Sequence, residues 1–200
     1  ELIILKIFGA CILIIGLFSD NNKITSANTR ILSQFLVVLF FVFLSDLNIV
    51  DLRVDSLNNL LDIKYISIIF TVLCFLILIN GTNFIDGLNT LVVGYYILVL
   101  SILALVSNQF DLSINYNIFF LIIFLIIIYI FNFSAKIYLG DSGSYLVSFF
   151  VGFFAIDFVL RNTLASPYFI CLLLWYPAFE NLLSILRRIS FDKKVYKPDQ

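Results

Sequence analysis

Apolar residues in this chain fall in long unbroken runs rather than at the three-or-four spacing of an amphipathic helix. That pattern means burial on all sides, as in lipid. The runs predict about seven helical spans: Leu2 to Phe18, Ile31 to Leu44, Tyr65 to Ile79, Leu91 to Val106, Ile118 to Phe133, Tyr145 to Leu160 and Tyr168 to Ile185. Several are shorter than the roughly 20 residues that cross a hydrocarbon core, so their ends must extend into polar flanks. The fold class is therefore all-α, a polytopic transmembrane helix bundle. Pro177 lies inside the last run and predicts a kink there, because proline removes a backbone donor and clashes with the preceding turn. The longest connection, from Ser45 to Lys64, carries Val50, Leu52, Val54, Leu57, Leu60 and Leu61, a pattern open to a surface-lying amphipathic stretch or a packed loop.

Composition agrees: 62% of the 200 residues are hydrophobic and only 12% charged, against roughly 25% charged in a soluble domain. With no repeat or flexible linker and three prolines, residues 1–200 read as one membrane domain. The chain has no Met and opens inside an apolar run. It is expected to be a piece of a longer protein, and the first run lacks the basic flank and cleavage site of a signal peptide. Cys11, Cys74 and Cys171 sit singly in apolar runs without CxxC spacing and read as small buried side chains rather than ligands or disulfides.

A net charge of −1 gives no reason to expect nucleic acid as a partner, but the placement of basic residues is informative. Alternating spans put Lys23, Arg30, Lys136, Arg187, Arg188, Lys193, Lys194 and Lys197 on one side, against Arg53, Lys64 and Arg161 on the other. The excess predicts that the first side is cytoplasmic.

Four polar interruptions break these spans, all on that side, and ionisable groups at membrane depth are usually kept for function. In Asn80-Gly81-Thr82-Asn83-Phe84-Ile85-Asp86-Gly87-Leu88-Asn89, the residues Asn80, Asn83, Asp86 and Asn89 recur every third position and predict one polar sector at a helix end. Amide oxygens beside a carboxylate suit a hard cation such as magnesium; the alternative is a polar cap with an Asp-Gly turn. In Asn132 to Ser144, Asp141 stands between glycines with Lys136 nearby. Magnesium binds through one or two carboxylates plus phosphate oxygens, so Asp141 and Asn83 could share a metal-diphosphate; the alternative is an Asp that caps the following helix. Gly140-Asp141-Ser142-Gly143 is also similar to the nucleophile turn of trypsin-like proteases, but the chain has no His to serve as base. Ser19-Asp20 closes the first span, and Arg187-Arg188 precedes a basic tail suited to anionic lipid or to phosphate.

Together these segments resemble the polyprenyl-phosphate N-acetylhexosamine-1-phosphate transferases, which include phospho-N-acetylmuramoyl-pentapeptide transferase. Asn80 to Asn89 is similar to N-x-x-N-x-x-D-G-x-[DN], and Asn132 to Ser144 to N-F-x-x-A-K-[IV]-[FY]-x-G-D-x-G-S. Tyr176-Pro177-Ala178-Phe179-Glu180 with Ile185-Leu186-Arg187-Arg188 is similar to P-x-x-[DE] followed by [IL]-x-R-R, and Lys197-Pro198-Asp199 to the start of a His-rich loop. Ser19 departs from the pattern, which has an acid there, so only Asp20 carries over.

The resemblance implies a magnesium-dependent enzyme of cell-envelope polysaccharide synthesis, including O-antigen pathways, in the cytoplasmic membrane. It would move a sugar 1-phosphate, N-acetylhexosamine or a deoxy relative, from a UDP-sugar to undecaprenyl phosphate and release UMP. By the same resemblance Asn83 and Asp141 hold the metal, Asp20 acts on the lipid phosphate, Asp86 lines the pocket, Asn80 and Asn89 lie nearer the nucleotide, and Lys136 and Arg188 contact phosphate. The piece would lack N-terminal helices and the C-terminal His-rich loop; the expected partners are the two substrates and membrane lipid, with a homodimer left open. A transporter is the rival of another class, and it predicts charges near the bilayer midplane with inverted symmetry. Cysteines placed at 20, 83, 141 and 188 in a protein freed of native cysteines should all resist impermeant thiol reagents applied outside intact cells; outside labelling of any one breaks the shared site.

Overall fold

The computed structural model describes residues 2–190. Among the described residues every regular element is a helix. The order is α1 (Leu2–Asp20), α2 (Ala27–Ser45), α3 (Asp55–Leu61), α4 (Lys64–Ile85), α5 (Leu91–Gln109), α6 (Asn117–Phe133), α7 (Gly140–Arg161), α8 (Pro167–Leu173) and α9 (Trp175–Ser190). Five helices, α1, α2, α4, α5 and α7, are long and apolar enough to span a membrane. The broken pair α8 and α9 makes a sixth span if counted as one, and α6 is apolar over 17 residues. The chain is thus a multi-pass membrane protein. The predicted spans stand, with ends extended: α4 runs on through Asn80, Thr82 and Asn83, and α7 starts at Gly140 rather than Tyr145. The polar side chains of α4 do not stop it, because Asn80 Nδ2 and Thr82 Oγ1 donate back to the carbonyls of Leu76 and Leu78 at 2.9 and 2.6 Å.

α7 is the central element, buried over more of its length than any other candidate span. It is packed by α1 and α4, while α2 fills the space between α1 and α4. Phe41 of α2, Phe75 of α4 and Phe149 of α7 meet in a triangle with ring centroids 4.9 to 5.9 Å apart. All three are essentially fully buried. α6 packs chiefly on α5, and its Phe120, Ile123, Phe124 and Ile127 point outward, as a lipid-facing helix requires. In the long connection the residues 55–61 form the short helix α3, with Leu61 buried against the rest.

The expected kink is present, one turn earlier than Pro177 itself. α8 and α9 meet at Leu174 and bend by 65°. The reason is geometric: a proline ring collides with the carbonyl four residues before it, here that of Leu173. Pro177 therefore sits in the first turn of α9, where its missing N–H costs nothing. The Leu173 carbonyl is not left bare, since the Tyr95 hydroxyl donates to it.

Two glycines allow the close helix contacts. A Cβ at Gly16 would lie 2.3 Å from Ser142 Cα, and one at Gly81 would lie 2.0 Å from the Pro177 carbonyl oxygen. Both obstacles are backbone, so neither can rotate away. At Gly87 nothing lies within 4 Å. Alanine gains about 1 kcal/mol over glycine in helix propensity, yet overpacking costs about 1–3 kcal/mol or more. Gly16→Ala and Gly81→Ala should therefore lower the thermal midpoint in detergent by several degrees, with Gly87→Ala as a silent control.

Candidate active site at one end of the bundle

The C-terminal ends of α1 and α4 and the N-terminal ends of α2 and α7 come together at one end of the bundle. Gly140 opens α7 with a left-handed φ of 63°, and a side chain there would press within about 3.1 to 3.3 Å of the Asp20 carboxylate. That carboxylate accepts from the Asp141 backbone N–H through Oδ1 at 2.9 Å and from the Ser142 N–H through Oδ2 at 3.1 Å. Asp20 thus caps α7 from another helix, satisfying donors that every helix start leaves open. Because that cap comes from α1, the Asp141 side chain is released from the role a lone sequence reading allows it. It turns instead toward Ser19 and Arg30: Oδ2 accepts from Ser19 Oγ, from Arg30 Nη1 at 3.0 Å and, more weakly, from the Tyr145 hydroxyl at 3.4 Å.

Ser144, one turn along α7, donates to Asn83 Oδ1 at 3.2 Å and so links the two residues expected to share a metal. Asp86 lies at the end of α4, half-buried. Its carboxyl is pushed up from 3.8 to about 7, first by burial and then by repulsion from Asp141 and Asp20, while the Gly140 N–H acts the other way. Three acids from three segments thus feel one another. A region with that surplus of negative charge favours a cation.

The remaining expected residues divide. Asn80 lies one turn deeper, donating to Gln34 Oε1 at 3.0 Å, so it is part of the packed floor. Gln34 is fully buried, and its Nε2 has no partner among the described residues. Asn89 falls beyond the end of α4 in an exposed turn, so the three-residue spacing does not keep it on the helical face with Asn80 and Asn83. Lys136 is exposed in the loop between α6 and α7. The side chain of Arg188 lies outside the described residues, as do Lys193 to Asp199.

Sequence reasoning did not single out Arg30, Ser19, Ser144 or Tyr145 for the site. It also gave no role to Asn132, which is buried and accepts from the Thr90 N–H while donating to the Ile137 carbonyl at 2.7 Å. That side chain pins the loop before α7 to the turn after α4. A buried asparagine bonding two loops is satisfied on both sides and reads as structure rather than chemistry.

All the donors gathered here are hard oxygens, the kind magnesium prefers. Among the described residues no three His, Cys, Asp or Glu side chains stand close enough to hold a metal by themselves. Such a set fits an ion that keeps its waters and shares phosphate oxygens, and it does not fit a closed metal cage.

Fold and site define a polytopic helical membrane protein whose acidic and amide groups meet at one bundle end. The chain belongs to glycosyl transferase family 4, matching that family over residues 2–159. It is 26% identical over 192 residues to a "Probable undecaprenyl-phosphate N-acetylglucosaminyl 1-phosphate transferase" of Bacillus subtilis (strain 168), covering 94% of this chain and 53% of that protein. It is 30% identical over 141 residues to the phospho-N-acetylmuramoyl-pentapeptide-transferase of Petrotoga mobilis, covering 68% of this chain and 43% of that protein. The chain therefore spans about half the length of these relatives.

The raised Asp86 sets a pH dependence. The folded protein keeps a proton that the unfolded chain sheds above 3.8, so stability falls as pH rises from there through about 7. Thermal midpoints measured in EDTA from pH 5 to 8 should decline over the acid half of that range in the wild type. In Asp86→Asn the slope should flatten; an unchanged slope places the titration elsewhere.

Proposed function

We propose that the chain forms part of a UDP-sugar:polyprenyl-phosphate sugar-1-phosphate transferase acting at the cytoplasmic face of the cytoplasmic membrane in cell-envelope synthesis. The observation that carries this reading is the meeting of Asp20, Asn83, Asp86 and Asp141 at one end of a membrane bundle, in a chain of this family. A site at helix ends serves a lipid phosphate held in the bilayer and a nucleotide arriving from water. The orientation is supported by the basic residues gathered on that side.

In the reaction, an oxygen of undecaprenyl phosphate attacks the sugar-bearing phosphorus of the UDP-sugar. A new P–O–P linkage forms, the old one breaks, and UMP leaves with the bonding electrons. Magnesium, when bound, would offset the negative charge of the diphosphate; Asp141 and Asn83, linked through Ser144, are the residues that would hold it. Ser144 keeps Asn83 and the start of α7 in register. Asp20 fixes the α7 N-terminus and with it Asp141, and its exposed carboxylate stands at the edge where the lipid phosphate would enter. Asp86 stands within reach of both acids and of the Gly140 N–H. An N-acetylhexosamine or a deoxy relative is the sugar proposed. Among the described residues, the break between α8 and α9 is a feature that favours a transporter, where interrupted helices surround ions.

The full-length protein in detergent, given undecaprenyl phosphate and magnesium, should release UMP from one of a panel of UDP-N-acetylhexosamines. Asp141→Asn should cut turnover by about a hundredfold or more, the scale of losing a charge-stabilising group, while the protein still folds, its thermal midpoint lowered only by the loss of the Arg30 pair. Solute flux in reconstituted vesicles without UMP from any sugar would move the chain to the transporter class.

A further inference from the structure

Arg30 sits in the first turn of α2 and reaches across to α7. Its Nη1 donates to Asp141 Oδ2 at 3.0 Å and to Ser19 Oγ at 3.1 Å, and Ser19 donates to the same Oδ2. The three groups close a triangle drawn from α1, α2 and α7. Both charged side chains are about a quarter exposed, 27% for Arg30 and 22% for Asp141, so the pair is only partly screened by water. Ser19 beneath them is buried. All the hydrogen bonds from described residues fall on Oδ2, so a full positive charge already stands against the carboxylate proposed to draw a cation.

The residue at position 19 decides this arrangement. A serine hydroxyl can donate to Asp141 while accepting from Arg30, and so it brings the pair together. A carboxylate at 19, as in the family pattern, can only accept. It would repel Asp141 and offer Arg30 a second anion within the same reach. We infer that Ser19 makes Arg30 the resident counter-ion of Asp141, so that position 19 sets how readily Asp141 accepts a divalent cation. Arg30 is then a positioning residue, acting through Asp141 rather than on the reacting atoms. The second half of this inference rests on Asp141 as a metal ligand, as proposed above.

Two measurements on the full-length protein in detergent separate the parts. In EDTA, the thermal shifts of Arg30→Gln and Asp141→Asn should be strongly non-additive in the Ser19 background and close to additive with Ser19→Asp. Additive shifts in the Ser19 background overturn the counter-ion, whatever the metal does. The second measurement titrates Mn2+ without nucleotide and reads the free ion by electron paramagnetic resonance. Ser19→Asp and Arg30→Gln should each tighten binding by about tenfold, as expected when a site gains one negative charge or loses one competing cation, and Asp141→Asn should abolish the gain. Because a new acid at the buried position 19 can disturb folding, Arg30→Gln carries the same prediction independently. Asp141-dependent binding that stays unchanged or weakens in both variants overturns the inference. Mn2+ binding indifferent to Asp141→Asn, with non-additive thermal shifts retained, instead overturns the metal reading of Asp141, and the role of position 19 falls with it.

Discussion

Everything at the acidic end depends on how closely α1 can lie against α7. With no side chain on Gly16, the backbones meet beside Ser142. That approach lets Asp20, a turn further on, reach the two free N–H groups at the start of α7. In a bilayer, helices gain little from apolar contact with one another, since lipid tails are as apolar as leucine; small residues and polar bonds hold such helices together. Here the small residue and the polar bond occupy neighbouring turns of one helix pair. Asp141 takes its orientation from that contact, and Arg30, Ser19 and Ser144 take theirs from Asp141 and its helix.

Membership of glycosyl transferase family 4 and the bundle's architecture support each other. The transfer proposed for this chain, between a lipid-borne phosphate and a water-borne nucleotide, needs polar groups at a fixed depth, near the ends of helices. The structure gathers Asp86, Asp141 and Asp20 there and surrounds them with amide and hydroxyl groups instead of further acids. The charge surplus is moderate, because Arg30 already offsets part of it.

The helices were legible because lipid burial demands long apolar runs, and nothing else in a sequence looks like Leu2 to Phe18 or Ile118 to Phe133. Their ends were less so. Asn80, Thr82 and Asn83 look like a stop, yet the first two repay their polarity by bonding the turn before them, and α4 continues. Asn89 leaves the polar face for the opposite reason, since its spacing fits a helix that has already ended at Ile85. Asp20, Asp86 and Asp141 stood out because they lie in the polar segments that interrupt the apolar runs on one side. Arg30 did not: a cation at the water boundary is the commonest topological anchor, and only the fold reveals that it crosses to Asp141. Proline signalled the broken last span, but its ring acts four residues upstream, which placed the bend at Leu174.

At the opposite end of the bundle, Arg53 donates from one nitrogen to the carbonyls of Thr163, Leu164 and Ala165, each at 3.0 Å. Beside it Asn162 exchanges hydrogen bonds with Ser113. Guanidinium, amide, hydroxyl and carbonyl groups keep their charge state throughout the physiological pH range. This knot of contacts ties the loops of that end together without a titrating group, although Asp46, Asp51 and Asp157 stand at the same end in ion pairs and hydrogen bonds of their own. The acidic end holds a group that titrates near neutrality and a carboxylate already sharing a cation. The two ends thus hold their acids differently: Asp46 and Asp157 at the far end each face a cation in Lys64 and Arg161, whereas at the near end Asp86 feels the charges of both Asp141 and Asp20.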